Sequence, residues 1–126
     1  VSDIVDTRAG ATKVLVVEDE FFIADELRRK LTAAGLQVLG PVSSNERALD
    51  LLEQDRPDVA VLDVHLGEAR VTAVAAKLRQ LNVPIVLATA SPAHELASDP
   101  VLAGAVILEK PTDFGLLIET VRRAVK

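Results

Sequence analysis

Three acids in a row, Glu18, Asp19 and Glu20, stand directly after the apolar run Val14-Leu15-Val16-Val17. Asp63 ends a second apolar run, Val59 to Leu62. Thr89 ends a third, Pro84 to Ala88, and Lys110 follows a fourth, Ala105 to Leu108. Neighbouring carboxylates repel one another, so a cluster of them either shifts its proton affinities or holds a cation. A hard divalent ion with oxygen ligands suits Glu18, Asp19 and Asp63, and Mg²⁺ characteristically takes one or two carboxylates plus waters and phosphate oxygens. A lone acid after a strand is usually a helix cap. Five chemically coherent residues, each at the same end of its run, are not explained that way.

The elements that position them come from periodicity. Lys13 to Val17 is a β-branched run that reads as a buried strand, after a loose leader over residues 1–12. Ile23, Leu27, Leu31 and Ala34 then fall on one helical face, with Gly35 as the stop signal. Gln37 to Gly40 reads as a second strand. Ser43 and Glu46 have capping-box spacing and open a helix carrying Ala48, Leu49 and Leu52, which must end before Pro57. Val59 to Leu62 is apolar at every position, as a central parallel strand requires when helices cover both faces. A helical pattern over Val71 to Leu81 turns Val74, Ala75 and Leu78 inward. Residues 84–89 and 105–108 give the last two strands, and Thr112 is the expected cap of a closing helix with Leu117, Val121 and Val125 in register. Five strand–helix units in series predict an open, doubly wound parallel sheet with right-handed crossovers. Ligand sites of such sheets lie at the carboxyl ends of the strands, where these five residues stand.

Composition narrows the class. The 126 residues make one domain, 13–126, behind the leader, with a core that must be aliphatic because Phe21, Phe22 and Phe114 are the only aromatics. The net charge of −5 argues against direct nucleic-acid binding by this domain. No apolar run is long enough to span a membrane, no secretory signal is present, and cysteine is absent, all of which fit a cytoplasmic protein. Methionine is absent even at position 1, so either an initiator is removed or the sequence is a piece of a longer chain.

The stretches VLVVEDE, VLDVHLG, LATA and LEKP resemble the four signatures of a bacterial response-regulator receiver domain, over about residues 13–126. The resemblance implies a flavodoxin-like (βα)5 fold with strand order 2-1-3-4-5. It implies a phosphoacceptor, Asp63, that takes its phosphoryl group from a sensor histidine kinase or a histidine phosphotransfer protein. Asp19 and Asp63 would ligate Mg²⁺ directly, Glu18 largely through water, and the backbone carbonyl of His65 would complete the set. Lys110 and the Thr89 hydroxyl would face the phosphoryl oxygens, and the Lys110–Pro111 peptide would be cis. Such a domain is a signalling switch and not an enzyme with an external substrate, and a homodimer is a natural partner state.

The chain also departs from the family pattern. Ile107 stands where Tyr or Phe is common, so the usual coupling between threonine and an aromatic ring lacks its ring, and plain strand packing is the simpler role for the residue. Pro92 and Pro100 leave room for barely two helical turns between them, which predicts a short or frayed helix there and places the switching change within residues 90–104. By the same resemblance, His65 and Ser91, two residues beyond Asp63 and Thr89, would border the path of attacking water. Two other classes compete. A haloacid-dehalogenase-type phosphatase also uses Asp and Mg²⁺, but sets a D-x-D pair on its first strand, whereas Asp63-Val64-His65 comes after the third here. A phosphorylation-independent pseudo-receiver usually lacks an acid or the lysine, and all are present here.

Overall fold

The computed structural model describes residues 11–91, 96 and 99–125. In chain order the elements are β1 (Lys13–Val17), α1 (Phe21–Ala33), β2 (Gln37–Val42), α2 (Asn45–Gln54), β3 (Val59–Leu62), β4 (His65–Leu66), β5 (Ala69–Arg70), α3 (Thr72–Gln80), β6 (Ile85–Thr89), β7 (Val106–Glu109) and α4 (Phe114–Ala124). Five strands form one parallel sheet in the order β2-β1-β3-β6-β7. Counting only that sheet, this is the order 2-1-3-4-5. The small strands β4 and β5 pair antiparallel in a hairpin of their own, directly after Asp63.

Alternate side chains of the central strands enter two separate cores. Leu15, Val17, Ala60, Leu62, Ile85 and Leu87 pack with Ala48 and Leu52 of α2 and Val74, Ala75 and Leu78 of α3. Val14, Val16, Val59, Val61, Val86 and Ala88 pack with Leu27 and Leu31 of α1 and Leu117 and Val121 of α4. The period of two in a strand sends neighbours to opposite faces, so a run apolar at every position is what a sheet covered on both sides demands. Among the described residues no helix is long and apolar enough to cross a membrane.

Several local expectations shift. β2 runs past Gly40 to Val42, and the last two strands begin and end close to the predicted limits. The cap of α2 is Ser44, whose hydroxyl accepts from the Arg47 amide at 3.2 Å, and not Ser43. Likewise Asp113, not Thr112, caps α4, its Oδ1 accepting from the Leu116 amide at 3.0 Å. Both pairs offer adjacent capping side chains, and it is the second that stands directly before the first helical residue, Asn45 or Phe114. Val125 lies just past the end of α4 and is 37% exposed, so it does not join Leu117 and Val121 in the core. The expected short helix between Pro92 and Pro100 falls largely on residues outside those described; Leu96 is helical and fully buried. Replacing Asp113 by Ala should cost about 1 kcal/mol in urea denaturation, whereas Thr112→Ala should leave stability within a few tenths; equal effects would contradict the cap.

The end of the sheet opposite the strand tips is fastened by arginines. Arg56 donates to the Leu81 carbonyl at 2.8 Å, Arg79 to those of Val101 and Ala103 at 3.1 and 2.9 Å, and Arg122 to that of Ala34 at 2.8 Å. Each meets backbone carbonyls left without helical partners where a helix or turn ends.

Candidate functional site

At the carboxyl end of the sheet, β1 delivers Glu18 and Asp19 and β3 delivers Asp63. The backbone around Glu18 is set by a bulge in β2: Leu15 pairs with Leu39 but Val17 with Val42, so one extra residue is inserted. Gly40 occupies that kink at φ +92°, where an added Cβ would lie 2.8 Å from the Val42 nitrogen and 3.0 Å from the Val16 oxygen. No other residue type fits there without displacement. The bulge lets the Val42 carbonyl accept from the Glu18 amide at 2.9 Å, and the Asp63 amide donates to the Val17 carbonyl at 3.0 Å. The Gly40–Pro41 and Lys110–Pro111 peptides are both cis.

The side chains then converge. Carboxylate oxygens of Glu18, Asp19 and Asp63 all lie within 4.8 Å of one another. Lys110, just past β7, places its Nζ 2.9 Å from Glu18 Oε1 and 3.0 Å from Asp63 Oδ2. Glu18, almost fully buried, also accepts from the Glu20 amide at 3.2 Å. Burial pushes the Glu18 carboxyl above its ordinary value, the Lys110 bond opposing and the Asp63 charge adding to the shift. Burial of the Lys110 ammonium favours its neutral form, but the bonds to Glu18 and Asp63 outweigh it and leave the lysine above its usual value. Asp19 is exposed, and its Oδ2 accepts from the Gly67 amide at 2.7 Å.

Thr89 ends β6 fully buried; its carbonyl accepts from the Lys110 amide at 3.0 Å and its Oγ1 from the Ser91 amide at 3.1 Å. The hydroxyl oxygen is thus engaged as an acceptor, while its hydrogen stays available to donate. His65 is exposed in the β4–β5 hairpin, opposite Arg70. Ile107 sits opposite Leu87 in the sheet and packs partly buried against the core around α2 and α3, the ordinary packing of a strand residue. Two clefts open beside these groups. One, of about 610 Å³, has Lys110, Pro111 and Phe114 on its walls. The other, of about 300 Å³, borders Glu18 and Asp19 with Phe21, Pro41 and Arg47.

Glu18, Asp19, Asp63 and Lys110 therefore meet as the spacing predicts, with Thr89 tied by its backbone to Lys110. The hairpin was not foreseen, nor was the Gly67 amide on Asp19. The only sequence signal for it is Gly67 itself, which stands at φ +63°.

A doubly wound five-stranded parallel sheet in this order is a flavodoxin-like fold, here with two acids after its first strand, one after its third and a lysine after its last. The family model for the response regulator receiver domain matches residues 14–122, and the chain belongs to that family. Receiver domains of response regulators are signalling proteins that work with sensor kinases. Among curated relatives, the chain is 35% identical over 117 residues to the sensory transduction protein LytT of Bacillus cereus, covering 90% of this chain and 47% of LytT. It is 30% identical over 115 residues to the transcriptional regulatory protein PdtaR of Mycobacterium tuberculosis, covering 90% of this chain and 56% of PdtaR. The chain thus spans about half the length of these relatives. Among solved structures it resembles a response regulator receiver protein from Sinorhizobium medicae WSM419, with TM-score 0.82 and 30% identity over 93% of this chain and 96% of that one.

Proposed function

We propose that the domain is phosphorylated on Asp63 by a sensor histidine kinase or histidine phosphotransfer protein, with Mg²⁺ bound, and acts as a conformational switch. The observation that carries this reading is the pairing of Lys110 with both Glu18 and Asp63 in a cluster whose carboxylate oxygens lie within 4.8 Å. Three carboxylates against one ammonium leave two negative charges when all are ionised, and a divalent cation balances them. The donor set fits Mg²⁺: all oxygen, compact and partly open to solvent. Asp19 and Asp63 would hold the ion, with Glu18 acting through water and the His65 carbonyl completing the protein's share. When bound, it neutralises charge on the entering phosphoryl group.

The remaining chemistry belongs to the chain. A carboxylate oxygen of Asp63 attacks phosphorus as the P–N bond to the donor histidine breaks; the imidazole leaves with that electron pair and takes up a proton. The product is an acyl phosphate, a recognised covalent state of a carboxylate. Phosphoryl transfer rests on positioning and charge stabilisation more than on acid–base work. Lys110, already 3.0 Å from Asp63, can transfer its hydrogen bond to a phosphoryl oxygen. The Thr89 hydroxyl donates to another, which draws it toward the site. With the three acids present and Lys110 bonded to Glu18 and Asp63, nothing among the described residues favours the pseudo-receiver reading. The same holds for the phosphatase reading, because no second aspartate stands at the D-x-D position after Asp63.

The decisive experiment is incubation with Mg²⁺ and a small acyl phosphate, read by intact mass. One phosphoryl increment, labile to hydroxylamine, is expected; no increment overturns the reading. Metal binding has its own readout. Saturating Mg²⁺ should raise the melting temperature by linkage, about 2.7 kcal/mol at a hundredfold excess over Kd, and Asp19→Asn should lose most of that gain. Calorimetry is the method, since the chain has neither Trp nor Tyr. An unchanged melting point in wild type would remove the metal site. His65→Ala should alter the hydrolysis of the acyl phosphate more than its formation, because in the family the side chain at this position borders the path of attacking water; equal shifts in both rates would contradict this.

A further inference from the structure

The β4–β5 hairpin touches the acid cluster at one end and a distant turn at the other. Its tip amide, Gly67, donates to Asp19 Oδ2 at 2.7 Å. Its last residue, Arg70, sets a guanidinium nitrogen 3.6 Å from Asp99 Oδ2. Asp99 in turn organises the turn that precedes β7: its carbonyl accepts from the amides of Leu102 at 3.0 Å and Ala103 at 2.9 Å, and its Oδ1 from the Val101 amide at 3.1 Å.

The fastenings around this path decide what can move. Arg79 of α3 holds the Val101 and Ala103 carbonyls, so the far side of the turn is fixed to that helix. Asn45 of α2 donates to the Arg70 carbonyl at 2.9 Å and accepts from the Val74 amide at 3.3 Å, which fixes the hairpin at its second strand. With the hairpin fastened there, a displacement at Gly67 would turn it about Arg70 and re-aim the guanidinium. Asp99 is the part of the turn held from the hairpin side.

We infer that Arg70 and Asp99 form a coupling pair that reports the state of the Asp19–Asp63 cluster to the 99–103 turn, by way of the Gly67 amide. The inference rests on the phosphoacceptor reading above and adds a route out of the site that needs no aromatic ring. A change in the engagement of Asp19 would bear on the hydrogen bond that its Oδ2 accepts from Gly67. The hairpin carries that change to Arg70 over a span of three residues. Ile107, packed as an ordinary strand residue, leaves the signal free to travel on this side of the sheet. By linkage the coupling is reciprocal, so weakening the pair must also alter the affinity of the acid cluster.

The test is amide exchange with and without Mg²⁺ plus beryllofluoride, a mimic of the acyl phosphate, on wild type, Arg70→Gln and the charge-conserving Arg70→Lys. In wild type the probes should change exchange at Gly67 and at Leu102 and Ala103 about threefold or more, as expected for a pair coupling of modest strength. Arg70→Gln should keep the response at Gly67 and lose it at Leu102 and Ala103, and Arg70→Lys, which keeps the charge beside Asp99, should retain it. A full response at Leu102 and Ala103 in Arg70→Gln overturns the coupling while leaving the phosphoacceptor reading intact. No response anywhere in wild type, Gly67 included, overturns that reading and the coupling with it.

Discussion

Asp63→Asn is expected to gain no phosphoryl mass under conditions that modify the wild type fully. The rate should fall at least about a thousandfold, as for loss of other covalent nucleophiles. The reason is electronic and not steric. An amide of the same size keeps the place of the carboxylate, but it is neutral, and its oxygen is a far weaker nucleophile toward phosphorus than a carboxylate oxygen. The fold should survive, because the bond from the residue 63 amide to the Val17 carbonyl involves no side chain, and Lys110 retains its 2.9 Å contact with Glu18. Modification of the variant to the wild-type level would place the acceptor elsewhere.

Lys110→Gln is expected to slow phosphorylation about a hundredfold, the usual cost of removing one donor aimed at developing oxyanion charge. It should also lower stability in the absence of divalent ions. Glu18 and Asp63 are nearly buried and share this one ammonium, and breaking such a buried arrangement from one side costs about 3–5 kcal/mol before relaxation. Glu18, which burial already pushes above its ordinary value, should take up a proton and reduce that cost. The two losses separate cleanly. Mg²⁺ should restore much of the melting temperature, measured by calorimetry, because it replaces the missing positive charge. It should not restore the rate, because a glutamine amide is a neutral and weaker donor to phosphoryl oxygens. Recovery of both by Mg²⁺ would show that Lys110 serves only as a counter-ion.

Much of this arrangement was legible in the sequence because two periodicities agree. Val14 to Val17 and Val59 to Leu62 are apolar at every position, which fixes them as central strands, and the residues just past a central strand's carboxyl end stand at the site of such a sheet. Glu18, Asp19, Asp63 and Lys110 were therefore found by place as well as by type. The β4–β5 hairpin was not legible. Each of its strands has two residues, too few for any alternation to register, and it is held by tertiary bonds from Asp19 and Asn45. The continuation of β2 past Gly40 through Pro41 to Val42 was hidden for a related reason. Both residues signal a break in isolation, and only the approach of Val16 and Val42 to Gly40 shows that the chain continues as a bulged strand. The caps missed by one residue, Ser43 for Ser44 and Thr112 for Asp113, show the limit of side-chain type alone.

The arginine that closes the last helix has a consequence for how this domain is attached to anything else. Arg122 ties the end of α4 to the Ala34 carbonyl, at the turn that leads into β2, while Thr12 and Lys13 are joined to Gln37 and Asp58 at that same end. A tether extended from either side of residues 12–125 thus departs from the pole remote from Asp63. A fused protein would leave the approach to the acids unobstructed, so a donor could reach them without displacing the cargo. Any influence on that protein would have to span the distance between the poles, so a surface contact such as Arg70–Asp99 has to hand the change on to the far end of the sheet.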